Sequence, residues 1–165
     1  MQLLYAAYGS NLHPDRLNER VAAAKLEGTA FIPDFTLTFD KRGVDGSGKA
    51  AITQGGDGVY VALYSMDAAG KATLDYYEHI NVGYYDFTIE VPGFGECFLY
   101  SATEAYSVPG LEPYCWYHAL VREGSIAHGF PDDYVGAIDA VPRRQDPDSE
   151  RRQSNWALVE SLRPF

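Results

Sequence analysis

The first twelve residues place the strongest constraint on what this chain can fold into. An apolar run from Met1 to Ala7 is long enough for one buried strand, and it breaks at Gly9-Ser10-Asn11. His13-Pro14 then predicts a helix start, because proline suits a first helical turn. A strand that turns directly into a helix leaves backbone N–H groups pointing into one small space, where the helix dipole also favours negative charge. The turn therefore predicts either an anion-binding site or a plain connection in which Ser10 or Asn11 caps the helix.

The remaining pattern predicts an α+β fold. Val59–Tyr64 is the clearest buried strand, and Tyr84–Val91 alternates as a half-buried strand should before a Pro-Gly turn leads to an antiparallel partner. We expect strands over residues 28–40, 50–52, 59–64, 84–91 and 96–102, helices over 14–24, 66–78, 112–124 and 131–138, and a terminal helix or strand over 154–162. These elements favour a mixed, mostly antiparallel small β-barrel with flanking α-helices, since a tyrosine-rich interior suits a pocket.

Length and composition limit the classes of partner. At 165 residues the chain is expected to form a single domain, 1–165, with the polar, Arg-rich residues 141–165 as a C-terminal extension. The formal charge of −10 argues against nucleic acid and anionic membranes. No apolar stretch approaches membrane-spanning length and no basic leader precedes the first strand, so we expect a cytoplasmic protein. Cys97 and Cys115 lack metal-ligand spacing, and no metal site is predicted.

A second candidate for chemistry is Glu78, near the end of the predicted helix over 66–78. Aromatic and apolar residues flank it. Burial of a carboxylate disfavours its charged form, which would make Glu78 a competent acid or base near neutral pH. The alternative is a solvated carboxylate at a helix end. Asp75, three residues earlier, is expected to make only a surface or cap contact.

Taken together, the two candidate stretches resemble the γ-glutamylcyclotransferase family. The similarity rests on Tyr8-Gly9-Ser10-Asn11-Leu12 and on the run from Leu74-Asp75 through Glu78 to Gly83 and Tyr85. Two later segments, Pro109–Tyr114 and Gly129–Tyr134, continue it, so that it covers roughly residues 1–140.

The resemblance implies a barrel-containing α+β fold, no cofactor, and an acyltransferase- or lyase-type reaction of glutathione metabolism. A small-molecule γ-glutamyl substrate would release 5-oxoproline and an amino acid or amine. Glu78 matches the catalytic glutamate, which could take a proton from the substrate's α-amine and return one to the leaving amine. A homodimer is left open. The residues expected to bind substrate are Tyr5, Ala6, Ala7, Tyr8, Gly9, Ser10, Asn11, Tyr85 and Tyr114.

Two departures from the family pattern bear on the substrate. His79 stands where the family often has glycine, which puts the leaving-group preference in doubt. The Tyr-Gly-Ser-Asn motif, in place of the Tyr-Gly-Ser-Leu type, disfavours glutathione itself. Two other functions stay open. One is a non-catalytic module that binds a small carboxylate. The other is removal of a γ-glutamyl protecting group from a larger carrier-bound amine, for which the pairs Arg143-Arg144 and Arg151-Arg152 would either face an acidic carrier or form a solvated tail.

Overall fold

In the computed structural model, which describes residues 1–165, the opening apolar run forms the centre of the main sheet. Strand β1 (Leu3–Ala7) pairs antiparallel with β5 (Val59–Met66) on one side and parallel with β7 (Gly95–Ala102) on the other. A central strand is covered on both faces, which explains why the run is continuously apolar and does not alternate. Ala6 and Ala7 are completely buried in it.

Seven strands form two sheets. The main sheet has the order β2-β5-β1-β7-β6, and β3 and β4 pair as a separate hairpin. The predicted mixed, mostly antiparallel α+β fold is confirmed, since β1–β7 is the one parallel ladder. The closed barrel is not confirmed, because the ladders leave β2 and β6 as the edges of an open sheet. The four strands not yet given are β2 (Lys25–Ile32), β3 (Phe35–Arg42), β4 (Gly48–Gln54) and β6 (Tyr84–Val91).

The segment 28–40, expected as one strand, is in fact divided between two. The chain turns at Pro33-Asp34, where Asp34 has a φ of 61°. Proline has no N–H to give a ladder, and aspartate tolerates the left-handed conformation better than most residues. The strand before the turn pairs with β5 and the strand after it pairs with β4, so the chain changes sheets there.

Polar side chains attach the β3–β4 hairpin to the main sheet. The Ser101 hydroxyl donates to the Ile52 carbonyl at 2.6 Å, and the Tyr84 hydroxyl donates to the Ala50 carbonyl at 2.7 Å. The Tyr117 hydroxyl accepts from the Ala50 amide at 2.9 Å. Buried polar groups of the hairpin backbone are thus satisfied across the gap between the sheets, and β4 becomes one wall of that gap.

Five helices and one short 3-10 helix pack around the sheets. The first helix begins at Pro14, as predicted, but its cap is His13, whose ring nitrogen accepts from the Asp15 amide at 3.2 Å, and neither Ser10 nor Asn11 caps it. No helix is both long enough and apolar enough to cross a bilayer. The helices are α1 (Pro14–Arg20), α2 (Ala68–Tyr77), α3 (Cys115–Ala127), α4 (Asp132–Asp139) and α5 (Ser149–Ser161), and the 3-10 helix is Glu104–Tyr106.

Residues 141–165 pack against the rest of the chain through one buried carboxylate. Asp146, whose side chain is fully buried, accepts from Trp116 Nε1 of α3 at 2.9 Å. It also accepts from Arg151 Nε and Nη2 of α5 at 2.7 and 2.6 Å. Trp156 and Leu162 of the same segment pack on the core. Of the helix or strand expected over 154–162, the structure has the helix, which begins five residues before residue 154.

Candidate active site

The turn after β1 and the end of α2 meet at one narrow cavity between the main sheet and β4. Asn11 and Glu78, which are 67 residues apart in the chain, are in direct contact there. Both segments singled out in the sequence therefore contribute to the same site. This inner cavity is lined by Tyr5, Tyr8, Gly9, Ser10, Asn11, Ala50, Glu78, Tyr84, Tyr100 and Tyr117.

The turn presents free backbone donors. The N–H groups of Gly9, Ser10 and Asn11 make no hydrogen bond within the chain. A side chain at position 9 would not fit, because its Cβ would lie 2.8 Å from the Cβ of Ala50 on β4. Successive unpaired N–H groups just before a helix favour an anion.

Glu78 is held by two donors at the end of α2. Its Oε1 accepts from Asn11 Nδ2 at 3.1 Å and from Arg20 Nη1 at 3.2 Å, and Arg20 also donates to Asn11 Oδ1 at 3.3 Å. The Glu78 side chain is only 14% exposed, so it is not a solvated helix-end carboxylate. A charged donor and a neutral one together fix the orientation of this carboxylate.

The tyrosines of the inner cavity stay protonated at neutral pH. Burial raises the pKa of Tyr5, Tyr8 and Tyr84 well above the usual value, and it raises the pKa of Tyr117 to about 12. They therefore act as apolar walls with neutral hydroxyl groups.

Asp75 contributes indirectly to this wall. Its Oδ1 accepts from the Tyr100 hydroxyl at 2.6 Å, and its carboxylate pairs with Lys71 at 2.9 Å. Its contact is thus more than the surface or cap contact expected from the sequence, since it orients a tyrosine of the cavity.

The structure does not bring every predicted substrate-binding residue to the inner cavity. Ala6 and Ala7 lie inside the sheet. Tyr85 is 46% exposed on the opposite face of β6 from Tyr84, because side chains alternate along a strand. The Tyr114 hydroxyl donates to the Asp45 carbonyl at 3.1 Å, and Tyr114 caps α3 outside the cavity.

Sequence reasoning missed five residues of the site. Tyr84 and Tyr117 take the places expected of Tyr85 and Tyr114, and they lie one residue and three residues away in the chain. No local signal singles out the other three, because only the fold brings them to Glu78. They are Arg20, Ala50 and Tyr100.

His79 has a left-handed backbone that explains why glycine suits this position. Its φ is 49°, its amide bonds the Tyr76 carbonyl at 3.2 Å, and the Ile80 amide bonds the Asp75 carbonyl at 3.1 Å. This pair of bonds is the Schellman motif that ends many helices, with the residue after the cap left-handed. The imidazole is exposed and makes no hydrogen bond to Glu78, so the conformation of the backbone is the feature that distinguishes the residue.

Replacing His79 with glycine should therefore stabilise the protein. A residue with a Cβ pays about 1 kcal/mol in the left-handed conformation that glycine adopts freely. We expect His79→Gly to raise the free energy of unfolding by up to about 1 kcal/mol, measured by urea denaturation. Tyr76→Gly, at an exposed helical position three residues earlier, should instead lower the free energy of unfolding by about 1 kcal/mol. Equal losses in both variants would contradict the assignment of strain to His79.

A wider outer cleft opens from the inner cavity. The two share Ser10, Glu78, Tyr84 and Tyr117, and the cleft has a volume of about 200 Å³. Four cationic side chains line it, in contrast to the net charge of the chain: Arg16, Arg20, Lys41 and Lys49. No group of three or more His, Cys, Asp or Glu side chains lies close enough together to hold a metal ion.

Comparison with known proteins agrees with this geometry. A γ-glutamylcyclotransferase from Bos taurus is 29% identical over 149 residues, covering 84% of this chain and 78% of the relative. A solved γ-glutamyl cyclotransferase superposes with a TM-score of 0.83 at 25% identity, over 97% of this chain and 99% of that one. The chain is thus similar to γ-glutamylcyclotransferase in sequence and in fold over most of its length. YkqA from Bacillus subtilis, 16% identical with a TM-score of 0.73 over 87% of this chain and 56% of its own, shares the fold. No protein-family model matches the chain.

The resemblance stated from the two sequence motifs is confirmed by relatives that cover most of both chains. Residues of both motifs line the inner cavity, so the sequence similarity includes the residues of this site.

Proposed function

We propose that this protein is a γ-glutamylcyclotransferase that converts a γ-glutamyl compound into 5-oxoproline and a free amino acid or amine. One observation carries the proposal. A turn with three unpaired backbone N–H groups lies beside a single oriented carboxylate, Glu78, in one cavity. The homology to γ-glutamylcyclotransferase supports the same reaction class.

In the mechanism that we propose, the turn holds the substrate and Glu78 moves the proton. The N–H groups of Gly9, Ser10 and Asn11 bind the glutamyl α-carboxylate through charge-assisted hydrogen bonds. Glu78 accepts a proton from the α-ammonium group. The freed amine attacks the γ-carbonyl carbon, and the bond to the leaving nitrogen breaks as Glu78 gives its proton to that nitrogen. The Glu78 carboxylate, now free again, takes the second proton that the ring nitrogen must lose and passes it to the released amine, which leaves as an ammonium group beside the neutral lactam. Because ring closure is intramolecular, holding the glutamyl chain curled supplies much of the rate.

The neighbours of Glu78 support its role as the proton carrier. Arg20 and Asn11 both donate to Oε1, which leaves Oε2 without a donor within the chain. Tyr5 and Tyr100 form a tilted aromatic pair, with ring centroids 5.7 Å apart, that can pack against the methylene groups of the glutamyl chain. In this proposal Tyr5 and Tyr8 contact the substrate, and Arg20 is a positioning residue.

A substrate panel tests the reaction class. Purified protein is incubated with γ-glutamyl dipeptides, γ-glutamyl amines and glutathione, and 5-oxoproline is measured by chromatography. We expect release from at least one γ-glutamyl amino acid or amine, with glutathione a poorer substrate. Silence across the panel, together with saturable binding of a small carboxylate such as glutamate, would replace the enzyme with a non-catalytic binding module.

The third function, removal of a γ-glutamyl protecting group from a carrier-bound amine, finds less support. This function requires that the basic pairs Arg143-Arg144 and Arg151-Arg152 are free to face an acidic carrier. Arg152 donates to the Asp146 carbonyl at 2.6 Å, Arg143 to the Asp139 carbonyl at 2.9 Å, and Arg144 to the Gly46 carbonyl at 3.3 Å. Arg151 is bound by Asp146 as well. Arg151 and Arg152 thus hold the C-terminal segment in place, whereas Arg143 and Arg144 lie exposed at the surface.

A further inference from the structure

Two side chains bond the carbonyl oxygen of Leu12, the last residue of the turn before the cap of α1. The Tyr64 hydroxyl of β5 donates to this oxygen at 2.6 Å, and Nε2 of His128 lies 2.6 Å from it. A carbonyl only accepts, so the His128 ring carries a proton on Nε2 in this contact. Helix α1 does not use the oxygen, because its first backbone bond runs from Leu17 to the His13 carbonyl. Both donors therefore act on the turn itself.

Helix α3 approaches the same backbone through a glycine. A Cβ at Gly124 would lie 2.6 Å from the Cβ of Leu12 and 3.2 Å from the amide nitrogen of His13. His128 follows Gly124 by four residues, so both lie on the face of α3 that meets the turn. The His128 ring also stacks on Phe130, with ring centroids 5.6 Å apart and an angle of 22° between the rings. This stacking fixes the direction in which Nε2 points.

The bonds to Leu12 hold the end of the turn that the sheet does not hold. The start of the turn is fixed by the ladder between β1 and β5, which ends at the pair Ala7 and Ala62. Beyond this ladder the turn has one backbone bond of its own, from the Leu12 amide to the Gly9 carbonyl at 3.1 Å. Strand β5 thus holds both ends of the turn, one through its backbone and the other through Tyr64.

We propose that Tyr64 and His128 are positioning residues, which keep the turn in the conformation that binds the substrate's α-carboxylate. The inference rests on the proposed cyclotransferase function and concerns its binding step. The three free N–H groups come one to three residues before Leu12, so rotation of the Leu12 carbonyl away from its donors would change their directions. Neither Tyr64 nor His128 lines the inner cavity, and each acts through the turn without contact with the substrate.

The expected effect of losing either bond is on KM. Without the bond, fewer molecules have the turn in the binding conformation, and the apparent affinity falls with that fraction. The loss of one hydrogen bond is expected to raise KM by about 2- to 10-fold. Once the substrate is bound the turn is in place, so kcat should stay within about threefold of the wild-type value.

Three variants test the proposal with the best γ-glutamyl substrate of the panel. Tyr64→Phe and His128→Leu each remove one donor, and each should raise KM by about 2- to 10-fold. His128→Gln should keep KM near the wild-type value, because the glutamine amide offers an N–H at a similar distance from the backbone. The Kd of 5-oxoproline, which keeps the α-carboxylate, should rise in parallel with KM. It is measured by titration calorimetry, which needs no turnover.

Tyr134→Phe is the matched control, since it removes an enclosed phenol hydroxyl that makes no hydrogen bond. It should leave KM and Kd unchanged. Urea denaturation of each variant separates positioning from folding, because a bond that serves only the fold would lower the free energy of unfolding without changing either constant. If one variant does not fold, the other still removes a donor from the same carbonyl.

Unchanged KM and Kd in Tyr64→Phe and His128→Leu would overturn the positioning role, and so would a fall in kcat alone. If the wild type releases no 5-oxoproline, the proposed reaction is wrong, and the Kd values by themselves decide the role of Tyr64 and His128. If the wild type does not bind 5-oxoproline either, the turn is not a carboxylate site and the positioning role is overturned with it.

Discussion

Glu78→Gln is expected to reduce 5-oxoproline release about 1,000-fold or more, with little change in stability. Glutamine keeps the shape of the side chain and an oxygen that can accept from Asn11 and Arg20, as Oε1 does now. It cannot accept a proton from the substrate's α-ammonium group. The loss should therefore appear in kcat, while KM stays within a few-fold of the wild-type value.

The measurement is a steady-state assay of 5-oxoproline with the preferred γ-glutamyl substrate, beside urea denaturation of both proteins. Glu96→Gln, at an exposed position of β7 outside the cavity, makes the same chemical change and should keep wild-type kcat. Retention of more than a tenth of the wild-type kcat by Glu78→Gln would mean that another group carries the proton.

Asp146→Ala is expected to lower the free energy of unfolding by about 3 kcal/mol, because it breaks a buried pair and leaves the other partners unsatisfied. The carboxylate binds Trp116 of α3 and Arg151 of α5 at once. For a chain of this length the loss corresponds to a fall of about 6 to 12 °C in Tm. Asp148→Ala, which removes an ordinary helix cap two residues later, should cost only about 1 kcal/mol. Similar losses in the two variants would show that Asp146 acts merely as a local cap.

The same carboxylate should make stability depend on pH. Hydrogen bonds from Arg151 hold the pKa of Asp146 well below its usual range. A group whose pKa is lower in the folded state contributes stability above its unfolded value of about 3.9, and that contribution is lost as the pH falls below it. The wild type should therefore lose stability between about pH 5 and pH 3, followed by urea denaturation at each pH. Asp146→Ala should lose less over the same interval.

Patterns that depend on one element alone could be predicted from the sequence. The strand over Tyr84–Val91 was bounded correctly, because its alternation ends at a Pro-Gly turn on one side. The start of α1 at Pro14 can be predicted because proline suits the first turn of a helix. The continuous apolar run also agrees with the central place of β1, because a strand that is buried on both faces has apolar side chains on both.

Features that depend on two elements could not be predicted. The alternating pattern of β6 favours Tyr85 as the inward residue, and only the hydrogen bond from Tyr84 to Ala50 of β4 shows that Tyr84 faces the cavity instead. Arg20 reaches Glu78 because α1 and α2 pack together, and no spacing in the chain encodes that contact. Closure of the sheet is equally non-local, since it depends on whether the edge strands β2 and β6 meet.

The backbone of Ala50, through its N–H and its carbonyl, has a consequence for selectivity. Its carbonyl and its amide are both bonded to phenol hydroxyls, one from β6 and one from α3. A phenol is a rigid spacer, so the gap between the β4 backbone and the opposite wall is fixed by the length of two tyrosine side chains. Widening or narrowing this gap would strain the two hydrogen bonds. We therefore expect this wall to discriminate between substrates by the number of methylene groups in their chain.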